Sequence, residues 1–441
     1  MKRLAQSVIL LSASAGAIAE PIFHPAGENL GFGPIANHQS LISHTNNPAT
    51  GASSMDVEAS GFGIGLVPSL GIGFEIGAVG NMAANLEDLE EQITAFEDNP
   101  SQDRANQIKA DFDGFLLDAG ENGYLQLHIG VNPIAPIVWN SKDVLGGSLV
   151  FDVNAAVQAQ LSVLDSPIEY NPLATDPADA LQTNTALYIK AGAVAETSLG
   201  FSKQLFSNRS GALSAGVRGK MYQVTLKKKL AGLSQFSEVN SLVKDEAEVE
   251  TTGQTGFGVD LGVIWAAQNY RVGATLRNAN APSFEYDELG VDCASKVGTD
   301  QDSCNIAVSY SHEIDMKETW TMDPQVNVEL AAYNSSRNWF VAMSADASPV
   351  NDAVGNELQW FTASLGYAGR WKIPAGFRLG YRKNLAGSQL SAATLGLSLL
   401  KVIHLDVAYG LESIEVKDSE TDETQEVPRM AQVNLGIDIL F

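Results

Sequence analysis

The chain has 441 residues, 52 acidic against 27 basic side chains, and a formal charge of −25. That balance argues against direct nucleic-acid binding, because phosphate contacts need clustered Lys and Arg to release counterions. After the first nineteen residues no stretch approaches the length of apolar sequence a membrane-spanning helix needs, so any membrane crossing must be made by strands.

In chain order, a basic start (Lys2, Arg3), an apolar run from Val8 to Leu11 and Ala17-Ile18-Ala19 before Glu20 read as a secretory signal peptide cleaved after Ala19. Residues 20–58 follow as a segment of their own, with His24, His38 and His44 too widely spaced to hold a metal unless folding gathers them. No metal or cofactor is expected. Residues 59–441 then alternate apolar and polar positions again and again. Gly61-Phe62-Gly63-Ile64-Gly65 and Gly71-Ile72-Gly73 sit inside such strands and lack both the spacing and the following helix of a nucleotide loop. From Asn81 to Asn122 the period changes. Leu86, Leu89, Ile93 and Phe96, then Ile108, Phe112 and Leu116 after Asn99-Pro100-Ser101, predict an acidic helical hairpin at 81–122, read as an insertion covering a barrel mouth, with a plug or partner-docking hairpin as the alternative.

The clearest strand runs from Leu149 to Val163, with Leu149, Phe151, Val153 and the following odd positions on one face and Asp152, Asn154, Gln158 and Gln160 on the other. It is longer than the ~9–11 residues a tilted membrane strand requires, so it should project beyond the bilayer. Ser214 lacks the first glycine of a nucleophile elbow, and no enzyme is expected. Further strands are read around Phe257 to Trp265, Val272 to Leu276, Phe361 to Tyr367, Phe377 to Tyr381, Ala393 to Leu399 and Ile403 to Tyr409, with others including 60–67, 70–77 and 304–313. Cys293 and Cys304, alone in a polar stretch of an exported chain, should form a disulfide, two free thiols being the alternative. The last segment, Ala431 to Phe441, alternates throughout and ends on an aromatic, the pattern of a closing outer-membrane strand. Phe441 is the expected signal to the barrel-assembly machinery.

Open edges cannot sit in lipid. The fold expected is therefore all-β: a closed antiparallel transmembrane β-barrel of about 14 strands, within a range of 12–16. Leu261 should face lipid, and inward charges (Lys190, Glu196, Arg218, Lys220, Arg378 and Arg382 against Asp152, Asp260, Glu329, Asp406 and Asp438) should form a structural network. Asp260→Asn is expected to be far cheaper than Leu261→Arg.

Asn46-Asn47-Pro48-Ala49, Gly65-Leu66-Val67-Pro68-Ser69-Leu70-Gly71, the acidic helix through Phe96, Ala195-Glu196-Thr197-Ser198-Leu199-Gly200, Gly216-Val217-Arg218-Gly219-Lys220 and Leu379-Gly380-Tyr381-Arg382-Lys383-Asn384 resemble, in that order, the conjugal transfer protein TraF family of exported barrels. That family in turn resembles the long-chain fatty acid transporter FadL. By this resemblance Asn47, Pro48 and Ala49 would lie in a hatch, and residues 20–58 would form an N-terminal plug. The resemblance implies a non-enzymatic component of a conjugal transfer or envelope-assembly system in a Gram-negative outer membrane. The alternative is a FadL-like channel for long-chain fatty acids or other small hydrophobic molecules. Partners implied are outer-membrane lipid and lipopolysaccharide, the barrel-assembly machinery, and conjugation-system proteins or small hydrophobic ligands.

Overall fold

The computed structural model describes residues 43–54, 61–141, 146–177, 180–232, 253–368, 376–400, 402–417 and 424–440. The signal peptide at 1–19, most of the segment 20–58, and Phe441 lie outside the described residues, as does the Asp438 side chain.

Fourteen antiparallel strands close into one barrel. They are β1 (Gly61–Ile76), β2 (Tyr124–Ser141), β3 (Gly147–Leu164), β4 (Ala186–Asn208), β5 (Gly211–Gly232), β6 (Gln254–Ala266) and β7 (Tyr270–Arg277). The second half comprises β8 (Gln325–Tyr333), β9 (Trp339–Asp346), β10 (Trp360–Ala368), β11 (Gly376–Asn384), β12 (Ser391–Leu399), β13 (Ile403–Gly410) and β14 (Met430–Leu440). Each strand pairs with the next in sequence, and β1 closes on β14 through Gly63 to Leu440 and Glu75 to Met430. The side-chain period of two then decides everything about facing. In β6, Asp260, Gly262 and Ile264 are buried in the lumen, while Phe257, Val259, Leu261 and Val263 are exposed outward. In β14, Gln432 and Asn434 point inward and Val433 and Leu435 outward.

The pairing between β1 and β2 is interrupted between Ile64 opposite Ile137 and Ser69 opposite Asn132. Pro68, Pro133 and Pro136 fall in this stretch, and a proline has no N–H to give to a ladder. The 60–67 and 70–77 stretches are accordingly one strand, carried through the interruption. The stretch 304–313 is not a strand: Thr299–Ser309 is a helix whose buried face is Ser303, Cys304 and Ala307. Its polar, acidic N-terminal turn (Asp300, Asp302) suits a helix start, and a two-residue reading of so short a segment mistook one apolar side of a helix for one face of a strand.

Short connections join the strands at the rim holding the end of β14, and all the long ones lie at the other rim. On outer-membrane barrels short turns are periplasmic and long loops extracellular. Trp339, Tyr367 and Phe377 stack on the outer wall near the short-turn rim, with ring centroids 4.9–5.8 Å apart, as an aromatic girdle would. The disulfide between Cys293 and Cys304 is formed and lies at the long-loop rim, in the connection between β7 and β8.

β3, β4 and β5 run for 18, 23 and 22 residues, well past the need of the bilayer. Above it their outward apolar positions would meet water. The helical hairpin prevents this: α3 (Met82–Asp98) and α4 (Gln102–Asn122) lay Leu86, Phe96, Ile108 and Leu116 against outward Leu161, Val163, Leu187 and Ile189. Ser101 caps α4 by accepting from the Arg104 N–H, and the Arg104 guanidinium donates to the Ala95 carbonyl of α3 at 2.8 Å. The hairpin thus covers the outer wall of the protruding strands rather than the barrel mouth, because the larger unsatisfied apolar surface is there.

Replacing Leu261 by Arg near the bilayer midplane should lower unfolding free energy in lipid vesicles by ~2–4 kcal/mol, whereas Arg at outward Gln223, near the upper boundary, should cost at most ~1 kcal/mol. Equal urea midpoints for the two variants would refute the facing and depth assigned to these strands.

Candidate functional site

The lumen holds residues 43–54, which form α1 (Ser43–Asn46) and α2 (Thr50–Ser54) with the Asn47-Pro48-Ala49 turn between them. The turn is self-supporting: Asn47 Oδ1 accepts from the Ala49 N–H at 2.9 Å, and the Thr50 N–H donates to the Asn47 carbonyl at 2.9 Å. That leaves the Asn47 amide free to reach the wall. Its Nδ2 donates to Glu329 Oε1 on β8 at 3.0 Å and lies 3.3–3.4 Å from the carbonyls of Ala274 and Val263 on β7 and β6. A short side chain carrying both donor and acceptor on one planar group fits this double duty.

Glycines let the turn come that close. A Cβ at Gly262 would lie 2.2 Å from Asn47 Oδ1, and one at Gly216 would lie 2.2 Å from the Pro48 carbonyl oxygen. On the other side the Ala52 N–H donates to Ser202 Oγ at 2.9 Å, and Arg271 Nη2 lies 3.3 Å from Thr50 Oγ1.

Next to the turn stands a compact layer of buried charge. Asp260, with no exposed surface, receives Arg218 through Nε at 2.9 Å and Nη2 at 2.7 Å, Lys220 at 3.0 Å, and the Asn278 N–H at 2.9 Å. Lys220 also pairs with Glu196 at 3.3 Å, and Arg218 donates through Nη1 to the carbonyl of Thr45 in α1. One carboxylate therefore organises two wall strands, two cations and the entering chain. Across the lumen Arg378 forms a bidentate pair with Asp406, at 3.1 and 2.9 Å, and donates to Ser398 Oγ at 2.5 Å. Arg382 stands apart from both groups, stacked 3.8 Å over the Trp360 ring and bonded to Gln432 Oε1 at 3.2 Å.

The inward charges thus fall into separate groups rather than one network: one around Asp260, one around Arg378, and Lys190 at the upper mouth beside Glu318, with Arg382 apart from them. The geometry argues against Asp260→Asn being far cheaper than Leu261→Arg, since a neutral side chain there removes the counter-charge that Arg218 and Lys220 share and leaves only Glu196 beside Lys220. Sequence reasoning also missed the loop residues that enter the mouth, Tyr286, Glu318, Trp320 and Asp352. The one available signal was aromatic side chains inside otherwise polar loops. Burial pushes the Tyr286 phenol and the Asp352 carboxyl above their ordinary values, in the latter case against hydrogen bonds from Asn356 and Val354. Among the described residues no group of His, Cys, Asp and Glu is arranged to hold a metal ion.

The model of the family described as "F plasmid transfer operon, TraF, protein" matches residues 45–346, which run from α1 and the Asn47-Pro48-Ala49 turn through the Asp260 layer to β9. The chain belongs to this TraF family. No curated protein matches it in sequence. Among solved structures, the chain is similar to the P. putida toluene transporter TodX, at 13% identity over 96% of this chain and 97% of that one, with a TM-score of 0.39. It is also similar to a Pseudomonas aeruginosa FadL homologue, at 11% identity over 96% and 99% of the two chains and a TM-score of 0.32. The outer membrane phospholipase A from Escherichia coli shares 8% identity over 86% and 98%, with a TM-score of 0.24.

Asp260→Asn should destabilise the barrel by about 3–5 kcal/mol, as removal of one partner from a buried ion cluster does. A urea midpoint within error of the parent would contradict the clamp assigned to Asp260. Gly216→Val should expel the Asn47 turn, exposing residues 43–54 to cleavage by added protease while the barrel keeps its heat-modifiable mobility. Full protection of that segment in the folded variant would show that the close approach is not needed.

Proposed function

We propose that this TraF-family barrel is a non-enzymatic outer-membrane component of a conjugal transfer or envelope-assembly system in a Gram-negative bacterium, working with its lumen held closed. The observation that supports this reading is the charge layer at the hatch. Asp260, Arg218, Lys220 and Glu196 are packed against Thr45 and Asn47, so the middle of the lumen is lined by paired ions and occupied by residues 43–54. An apolar molecule crossing there would have to desolvate against charged walls, which is unfavourable unless every ion stays paired. A plugged barrel of this kind serves as a stable platform. Its extracellular hairpin, α3 and α4, carries an acidic outer surface with Glu87, Asp88, Glu90 and Glu91 for partners of an assembly system. Lipopolysaccharide and the barrel-assembly machinery are the partners its membrane setting implies.

A second reading, a channel for long-chain fatty acids or other small hydrophobic molecules, is favoured by one feature. Inward-facing Val194, Tyr222, Val224 and Leu226 form an apolar surface at the upper lumen, packed against Phe284 and Trp320. Concave apolar surfaces with few polar groups are where such ligands leave water.

Native mass spectrometry of the protein extracted from outer membranes in mild detergent separates the two. Co-purified periplasmic or pilus-system proteins, with no small apolar ligand, are expected. A bound fatty acid or similar molecule on a barrel without protein partners would overturn the first reading in favour of the second.

A further inference from the structure

The upper mouth of the barrel holds another set of buried charges, unconnected to the hatch. Lys190 on β4 and Lys228 on β5 point inward from the protruding wall. Between them sits Glu318, carried by the loop joining β7 to β8. Lys190 Nζ donates to Glu318 Oε1 at 2.6 Å, and Lys228 Nζ stands 3.6 Å from Oε2 while donating to the Asp315 carbonyl at 2.6 Å. Tyr286, from the same loop, presents its ring to both ammonium groups, 4.9 and 5.4 Å from the centroid.

The next extracellular loop, between β9 and β10, is seated in the same manner. Its Asp352 accepts from two wall amides, Gln126 Nε2 at 3.1 Å and Gln158 Nε2 at 3.4 Å. The two loops are also joined to each other. Trp320 Nε1 donates to the Asn351 carbonyl at 3.0 Å, and the Tyr286 hydroxyl donates to the Ala353 carbonyl. Beneath them Phe284 and Trp320 lie on the apolar surface that includes Ala156, Tyr222 and Val224.

We infer that the two loops form a single lid over the extracellular mouth, latched to the wall by Glu318 on the Lys190 and Lys228 pair and by Asp352 on Gln126 and Gln158. A barrel needs no loop to complete its strand hydrogen bonds, so these contacts serve closure of the mouth rather than closure of the sheet. Both latches are polar and both bear on rigid strands, which makes them separable from the wall without unfolding it. The far part of the first loop is fixed independently. The disulfide staples it, and α5 (Thr299–Ser309) with the following Tyr310 packs Ala307 and Tyr310 on Ala186 and Leu230 at the tops of β4 and β5. When the latch releases, the part that moves is the ribbon of Ser283–Glu285 paired with Thr319–Thr321, which turns about its remaining attachment, the two hydrogen bonds of 2.6 and 2.8 Å between the Glu285 backbone and the Gln254 side chain at the start of β6, and carries Phe284 and Trp320 out of the mouth. This lid holds equally for a plugged assembly component and for a channel.

The test is labelling of a cysteine placed beneath the lid, Ala156→Cys, by a membrane-impermeant maleimide added outside intact cells. In the otherwise native chain it should label far more slowly than Leu173→Cys, which is 87% exposed on an outer loop. Loss of the carboxylate charge in a charge-assisted hydrogen bond is enough to shift an opening equilibrium by about tenfold. Glu318→Gln should accelerate labelling of Ala156→Cys by about that factor, and Asp352→Asn should do so through its separate seat, while Glu318→Asp should stay near the parent rate. Equal rates at Ala156→Cys and Leu173→Cys in the native chain would overturn the lid outright. Unchanged slow labelling in Glu318→Gln and Asp352→Asn, with heat-modifiable mobility intact, would overturn the latch.

Discussion

A barrel that closes on itself leaves no backbone edge in lipid, but its strands turn charged side chains into the lumen, where a buried charge without a counter-charge is costly. Asp260 shows how this is avoided. It is fully buried, and it takes two cations from β5 and the Asn278 N–H at the end of the neighbouring strand. The same Arg218 reaches the carbonyl of Thr45, so the charge layer that satisfies the wall also holds α1. Asn47 completes the attachment from the other side, through Glu329. Buried ions of this kind add little net stability compared with apolar packing, but they fix one arrangement, because any other leaves a charge without its counterpart.

A second constraint is length. β3, β4 and β5 outlast the bilayer, and the protruding wall has two faces to cover. Outside, the apolar face is covered by α3 and α4. Inside, the face is mixed, with Tyr222, Val224 and Leu226 below and Lys190 and Lys228 above, and it is matched by a loop with the complementary order, Phe284 and Trp320 below and Glu318 above. Hairpin and lid are thus two answers to the same excess of strand.

The barrel was legible in the sequence because its signal is repeated. Leu149 to Val163 alone states the period, and Ala431 to Leu440 states it again at the closing strand. The inward positions of Asp260, Arg378 and Asp406 follow from that period without any knowledge of their partners. What the period does not carry is which inward charges meet, since that depends on neighbours brought together by register: Lys220 lies opposite Gly258 on β6 and yet its amine reaches Asp260. The hairpin was legible as helices from Leu86, Leu89, Ile93 and Phe96, but its place on the outer wall was not, because an amphipathic face is equally suited to a mouth or a side. Tyr286, Glu318 and Asp352 were lost in long polar loops, where no periodicity marks a residue as buried. Thr299–Ser309 was misread for the converse reason, being too short for the two periods to separate.

The claim on which the rest depends is that the N-terminal segment is a fixed part of the folded lumen. Hydrogen exchange of residues 43–54 in the barrel reconstituted in bilayers measures this directly. The N–H groups of Ala49, Thr50 and Ala52 each have a hydrogen-bond partner 2.9 Å away, the last on wall residue Ser202. Protection comparable to that of the barrel strands is the expected result. Exchange at the rate of an unstructured peptide, with the strands themselves protected, would show that the segment is not held and that the charge layer around Asp260 serves the wall alone.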